Sequence, residues 1–117
     1  MKVTLVLNDA PYGSEKAFNA LRLAMFLQRQ HQDLELRIFL LQDAPYCAIP
    51  GQSPPAGFYN VEEMLKRVMN AGAAVEACGT CAESRGLKKV PLIEGVKITS
   101  THRLAEWTAD SDQVLTF

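Results

Sequence analysis

The sequence predicts a single α/β domain, spanning residues 1–117, built on a mostly parallel sheet. Three observations carry that prediction. Short β-branched runs alternate with helical ones along the chain. The first run is apolar at consecutive positions, as in a strand covered on both faces. The length of 117 residues suits one domain.

Lys2 to Asn8 is that first strand, and Asp9-Ala10-Pro11-Tyr12-Gly13 breaks it. Ser14 is the expected N-cap of a helix reaching about Gln30. This helix is apolar nearly all round, through Ala17, Phe18, Ala20, Leu21, Leu23, Ala24, Met25, Phe26 and Leu27, with only a thin stripe of Glu15, Asn19 and Arg22. A helix covering one side of a sheet carries a wider polar face, so the pattern suggests either deep burial or packing against another subunit.

Leu34 to Leu41 reads as the second strand. Four of the six prolines then fall between Asp43 and Tyr59, so no regular element is expected there. A loop of that length in a small domain is functional or a brace. Asn60 with Glu63 forms a capping-box pattern opening the second helix, and Gly72 is its expected C′ residue. Met64 and Met69 read as core filler. Ala73 to Ala77 is the third strand, Val96 to Ile98 the fourth, His102 to Thr108 a helix, and Gln113 to Phe117 a fifth, docked strand.

Composition excludes several function classes. Twelve Lys+Arg against thirteen Asp+Glu leave a formal charge of −1, and only Lys88-Lys89 forms a basic doublet, so nothing suggests nucleic acid or anionic lipid as partner. No apolar run approaches the roughly 18–20 residues that span a bilayer. Polar Thr4 inside the first run and the lack of a small-residue cleavage site argue against a signal peptide. The expected location is the cytoplasm, where a close cysteine pair points to catalysis, redox chemistry or metal binding.

That pair lies in Cys78-Gly79-Thr80-Cys81-Ala82-Glu83-Ser84-Arg85-Gly86, directly after a predicted strand. Sites in open α/β sheets gather beyond the carboxyl ends of the strands. Thr80 with Glu83 reads as a second capping box, opening a short helix that stops at Gly86. Cys78 then precedes a helix N-terminus, where N–H groups and the dipole stabilise a thiolate, and Arg85 adds positive charge. A C-x-x-C alone serves redox, zinc and sulfur chemistry alike. Zinc is disfavoured, because Cys47, Cys78, Cys81, His31 and His102 offer no second pair at ligand spacing, and no other cofactor is expected. A thioredoxin-like motif would head a long helix after an early strand, whereas this one heads a short helix after a late strand. Two buried, inert thiols are the bland alternative.

In this segment the chain resembles the DsrE/DsrF-like family, and within it the small YchN-type branch. The resemblance runs the whole length: Asn8 to Glu15, Gly51-Gln52 with Gly57-Phe58-Tyr59-Asn60, Cys78-Gly79-Thr80-Cys81 with Arg85-Gly86, Pro91-Leu92-Ile93 with Gly95-Val96, then Trp107 and Val114 to Phe117. It implies a three-layer α/β/α domain with a five-stranded parallel sheet, assembled as a homotrimer or homohexamer. It also implies sulfur carried as a persulfide on the cysteine seven residues before the arginine of an Arg-Gly step, which here is Cys78 before Arg85. Cys81 departs from the sulfur-relay pattern, and such a neighbouring thiol can attack the persulfide and close a disulfide.

The leading expectation is therefore a cysteine-dependent sulfur carrier or sulfurtransferase, partnered by a sulfur donor or acceptor. Cys78 is the nucleophile, Cys81 a resolving thiol or second acceptor, and Gly79, Thr80 and Arg85 stabilise the sulfur anion. The alternatives are a thiol–disulfide redox module using Cys78 and Cys81, or a non-enzymatic oligomeric binding protein. Its cleft would lie around Asn8, Asp9, Tyr12 and the Asp43–Tyr59 loop. Asp9 and Asp43 follow strands and suggest one sheet edge, His102 is a weaker general-base candidate, and Cys47 reads as a spare thiol in a mobile loop.

Overall fold

A computed structural model describes all 117 residues. Five strands form one wholly parallel sheet: β1 (Lys2–Leu7), β2 (Glu35–Leu40), β3 (Ala74–Cys78), β4 (Lys97–Thr99) and β5 (Gln113–Thr116). Their spatial order is β4-β3-β2-β1-β5, so the chain steps outward from β1 and returns on its other side. Four α-helices connect them: α1 (Lys16–Gln30), α2 (Val61–Asn70), α3 (Gly79–Ser84) and α4 (Thr101–Asp110).

Alternation along the strands builds two unequal cores. Val3, Leu5 and Leu7, Leu36, Ile38 and Leu40, and Val75 and Ala77 pack under α1 and α2 in a cluster of 20 buried residues. The opposite face is thinner. There Phe39, Cys78 and Trp107 form a cluster of 3, backed by Leu41, Cys81 and Leu104, with α4 as its cover. The layers are helices, sheet and a single helix.

Several local expectations need correction. Helix α1 begins at Lys16 with Glu15 in the cap position, one residue later than expected, while the Ser14 hydroxyl accepts the Lys16 N–H at 3.4 Å and donates to Asp9 at 2.7 Å. The proline-rich stretch holds a 3-10 helix at Ala44–Ala48. Pro45 sits in its first turn, where a missing N–H leaves no bond unmade. Cys47 is fully buried in that element and donates to the Asp9 carbonyl, so it is no mobile spare thiol. Cys78, not Thr80, caps α3.

Other local readings hold. Asn60 Oδ1 accepts the Glu63 N–H at 3.1 Å, capping α2. Glu62 pairs with Lys66 one turn on, at 3.0 Å. Both α2 and α3 end in Schellman turns. Gly72 and Gly86 take φ of 107° and 75°, and the residues after them bond back to the carbonyls of Val68 and Ala82. Strand β5 is docked by β1, although Val114 and Leu115 each remain 37% exposed.

Candidate functional site

The two thiols of the C-x-x-C share one turn at the carboxyl end of β3. Strand geometry runs through Cys78 (φ −67°, ψ 119°), which makes it the last extended residue and the cap of α3. A helix leaves its first N–H groups without partners inside the helix. Here the N–H of Cys81 donates to Cys78 Sγ at 3.4 Å. Cys81 Sγ in turn accepts the N–H of Gln42 at 3.2 Å. Gln42 holds φ of 54°, a left-handed conformation that non-glycine residues rarely adopt, so the chain after β2 spends backbone strain in turning that N–H toward the sulfur.

Access to the two differs. Cys78 is 3% exposed, packed with Phe39 and Trp107. Cys81 is half-buried against the same cluster. Burial, then the hydrogen bond with the Cys78 side chain, push the Cys81 thiol above its usual value, against the opposing pull of the Gln42 N–H and the Arg85 charge. Burial, with the nearby Asp9 charge, drives the Cys47 thiol from the usual 9.0 to about 12, so it stays protonated and unreactive. The four surface hollows lie elsewhere. The largest, about 520 Å³, sits between the end of α2 and Ile93-Glu94-Gly95, and none is lined by Cys78 or Cys81.

The remaining sequence candidates are dispersed. Gly79 and Thr80 form the first turn of α3, with Thr80 exposed. The Arg85 guanidinium is committed to Asp43 (Nε–Oδ1 2.6 Å) and to the carbonyl of Cys81 (3.1 Å). Asp9 and Asp43 are thus engaged separately, by Ser14 and by Arg85, and do not form a carboxylate pair. Asn8 closes the gap where the strand order reverses, donating through its backbone N–H and its side chain to the Phe117 carbonyl. The Tyr12 hydroxyl donates to Gln52 and accepts from the Val61 N–H, which braces the long loop. The His102 side chain is 83% exposed at the start of α4. No three His, Cys, Asp or Glu side chains converge as metal ligands would.

Sequence reasoning missed four participants. Gln42 carries no side-chain signal, since its backbone does the work. Gln52 and the buried Glu62 anchor the long loop, the carboxylate accepting the Gly51 and Gln52 N–H groups at 2.9 and 2.8 Å. Thr99 stands beside Cys78 in the register of β3 and β4.

Fold and site together define a class: a parallel α/β domain presenting a capped thiol pair beyond a strand end. Family comparison then makes it specific, because the DsrE/DsrF-like family model matches residues 1–117, and the chain belongs to that family. It is 46% identical to the Escherichia coli protein YchN over 116 residues, 99% of this chain and 98% of that one. It is 42% identical to an uncharacterized protein of Methanocaldococcus jannaschii over the whole of both chains. The crystal structure of E. coli YchN superposes with a TM-score of 0.94, covering 99% of this chain and 98% of that one. A protein of unknown function from Methanobacterium thermoautotrophicum, 13% identical with a TM-score of 0.72 over 99% and 98% of the two chains, shares the fold.

Proposed function

We propose that the protein carries sulfane sulfur as a persulfide on Cys78, as a sulfur carrier or sulfurtransferase. The observation supporting this most directly is the capping position of Cys78, whose Sγ receives the Cys81 N–H at 3.4 Å. An N–H aimed at the sulfur stabilises the negative charge that develops on it during exchange. In loading, Cys78 sulfur attacks the outer sulfur of a donor persulfide. The donor S–S bond breaks, a new S–S bond forms on Cys78, and the donor leaves as a thiol with the bonding electron pair. Cys–SH plus R–SSH gives Cys–SSH plus R–SH, so no external oxidant is needed, and delivery to an acceptor thiol is the same exchange in reverse. Leu104 and Trp107 belong to the cover over Cys78, so entry of a donor requires that cover to shift.

The test is incubation with a small-molecule persulfide followed by intact-protein mass measurement. Wild type should gain one sulfur atom and Cys78→Ser none. A Cys78→Ser protein that loads as well as wild type refutes the assignment.

One observation favours a redox reading beside it. Cys78 at the cap and Cys81 on the same turn stand in hydrogen-bonding relation, which suits a reversible disulfide between them. Thiol trapping across a redox titration separates the two: an interconvertible disulfide without persulfide would favour this reading. Assembly into a homo-oligomer belongs to the same proposal, supported by the apolar surface left on α1 and β5.

A further inference from the structure

Beside Cys78, β4 buries a hydroxyl that bonds to nothing. Thr99 Oγ1 is inaccessible to solvent and has no hydrogen-bond partner in the chain. Leaving a buried hydroxyl unsatisfied is costly, and such groups in folded proteins call for an explanation. Its position supplies one. Thr99 is the register partner of Cys78 in the parallel β3–β4 pair. Side chains paired across a sheet project to the same face. That face is the thin one, where Cys78 packs with Phe39 and Trp107.

The close approach of the two strand ends is built into the backbone. A Cβ at Gly79 would lie 2.9 Å from the Thr99 carbonyl oxygen and 3.3 Å from the Ile98 side chain. Only glycine lets the start of α3 settle this tightly against the end of β4. The Cys78 turn and Thr99 are therefore held together by main-chain packing.

We propose that Thr99 is a sulfur-binding residue, whose hydroxyl donates a hydrogen bond to the outer sulfur of the Cys78 persulfide. This rests on the persulfide reading above and deepens it. In the unloaded protein Thr99 Oγ1 makes no bond to Cys78 Sγ. The outer sulfur extends the side chain by one S–S bond, about 2 Å, and brings an anionic acceptor to a donor that otherwise has none. The interaction exists in the loaded state alone, so it shifts the loading equilibrium instead of stabilising both states equally. A hydrogen bond to a charged acceptor is enough to change that equilibrium about tenfold. The ligand class follows: a sulfane sulfur delivered by a low-molecular-weight or protein persulfide.

Equilibrium occupancy of the Cys78 persulfide, at a fixed ratio of glutathione persulfide to glutathione, tests the assignment in wild type, Thr99→Val and Thr99→Ser. Thr99→Val keeps the shape and removes the hydroxyl, so it should fold at least as stably as wild type while its loading constant falls about tenfold. Thr99→Ser, which retains the hydroxyl, should load within about twofold of wild type, a rescue that a purely structural role would not produce. Equal loading of valine and wild-type proteins overturns the role of Thr99 while leaving the persulfide on Cys78 intact. A wild type that gains no sulfur removes both.

Discussion

At Glu62, burial and charge act against each other. Burial raises its carboxyl, but the Lys66 hydrogen bond and the Gln52 and Gly51 N–H groups outweigh it and hold the group below the usual glutamate value. A lowered folded value means its stabilisation is complete above the ordinary glutamate range and is lost as pH falls through that lowered value. Glu62→Gln should therefore destabilise the protein at neutral pH by about 1–3 kcal/mol. The gap should narrow in acid, where the wild-type carboxyl also becomes neutral. Denaturant titration of both proteins at neutral pH and in acid reads this directly, and a gap independent of pH would contradict it. None of this was visible in the sequence. Only the fold reveals that the loop lays two backbone donors on the carboxylate oxygen opposite the one that meets Lys66.

Among the elements, caps were readable where the competition was local and misread where a distant group intervened. Asn60 and its N–H partner Glu63 lie within one turn, so sequence spacing alone identified the start of α2. Asn60→Ala should lower stability by about 1 kcal/mol in chemical denaturation. An unchanged midpoint would mean that the cap bond carries no net stability. Thr80 with Glu83 has an equally good pattern, yet the helix starts earlier. Strand β3 extends to Cys78, and Gly79 must fit beneath the Thr99 carbonyl, so the thiol takes the cap. Ser14 lies one residue ahead of the cap position, where its hydroxyl still accepts the Lys16 N–H while donating to Asp9. Prolines break helix interiors, so the sequence predicts an irregular loop there, but Pro45 occupies a first turn, where it is tolerated.

Over the whole molecule, apolar surface remains uncovered. Phe26 is 47% exposed on α1, with the Arg29 guanidinium over its ring, and Val114 and Leu115 lie open on edge strand β5. An edge strand with apolar side chains on both faces invites pairing or cover. The proposed homo-oligomer predicts a sedimentation velocity profile of trimer or hexamer at micromolar concentration. A monomer at that concentration would remove the proposal and leave the single-chain chemistry of Cys78 untouched. The helices include none long and apolar enough to cross a membrane.

The sequence by itself determined the α/β class, the five strands, the C-terminal glycine stops and the placement of Cys78 between strand end and helix start. These follow from periodicity, glycine backbone freedom and short-range capping, all of which act within a few residues. Tertiary structure decided what surrounds the thiol. It directed Arg85 to Asp43, buried Cys47, turned the Gln42 N–H onto Cys81 and set the unpaired hydroxyl of Thr99 beside Cys78. Each of those contacts joins residues about 20 to 42 positions apart, or depends on long-range packing. Strand register brings such residues together, and a linear pattern carries no record of it.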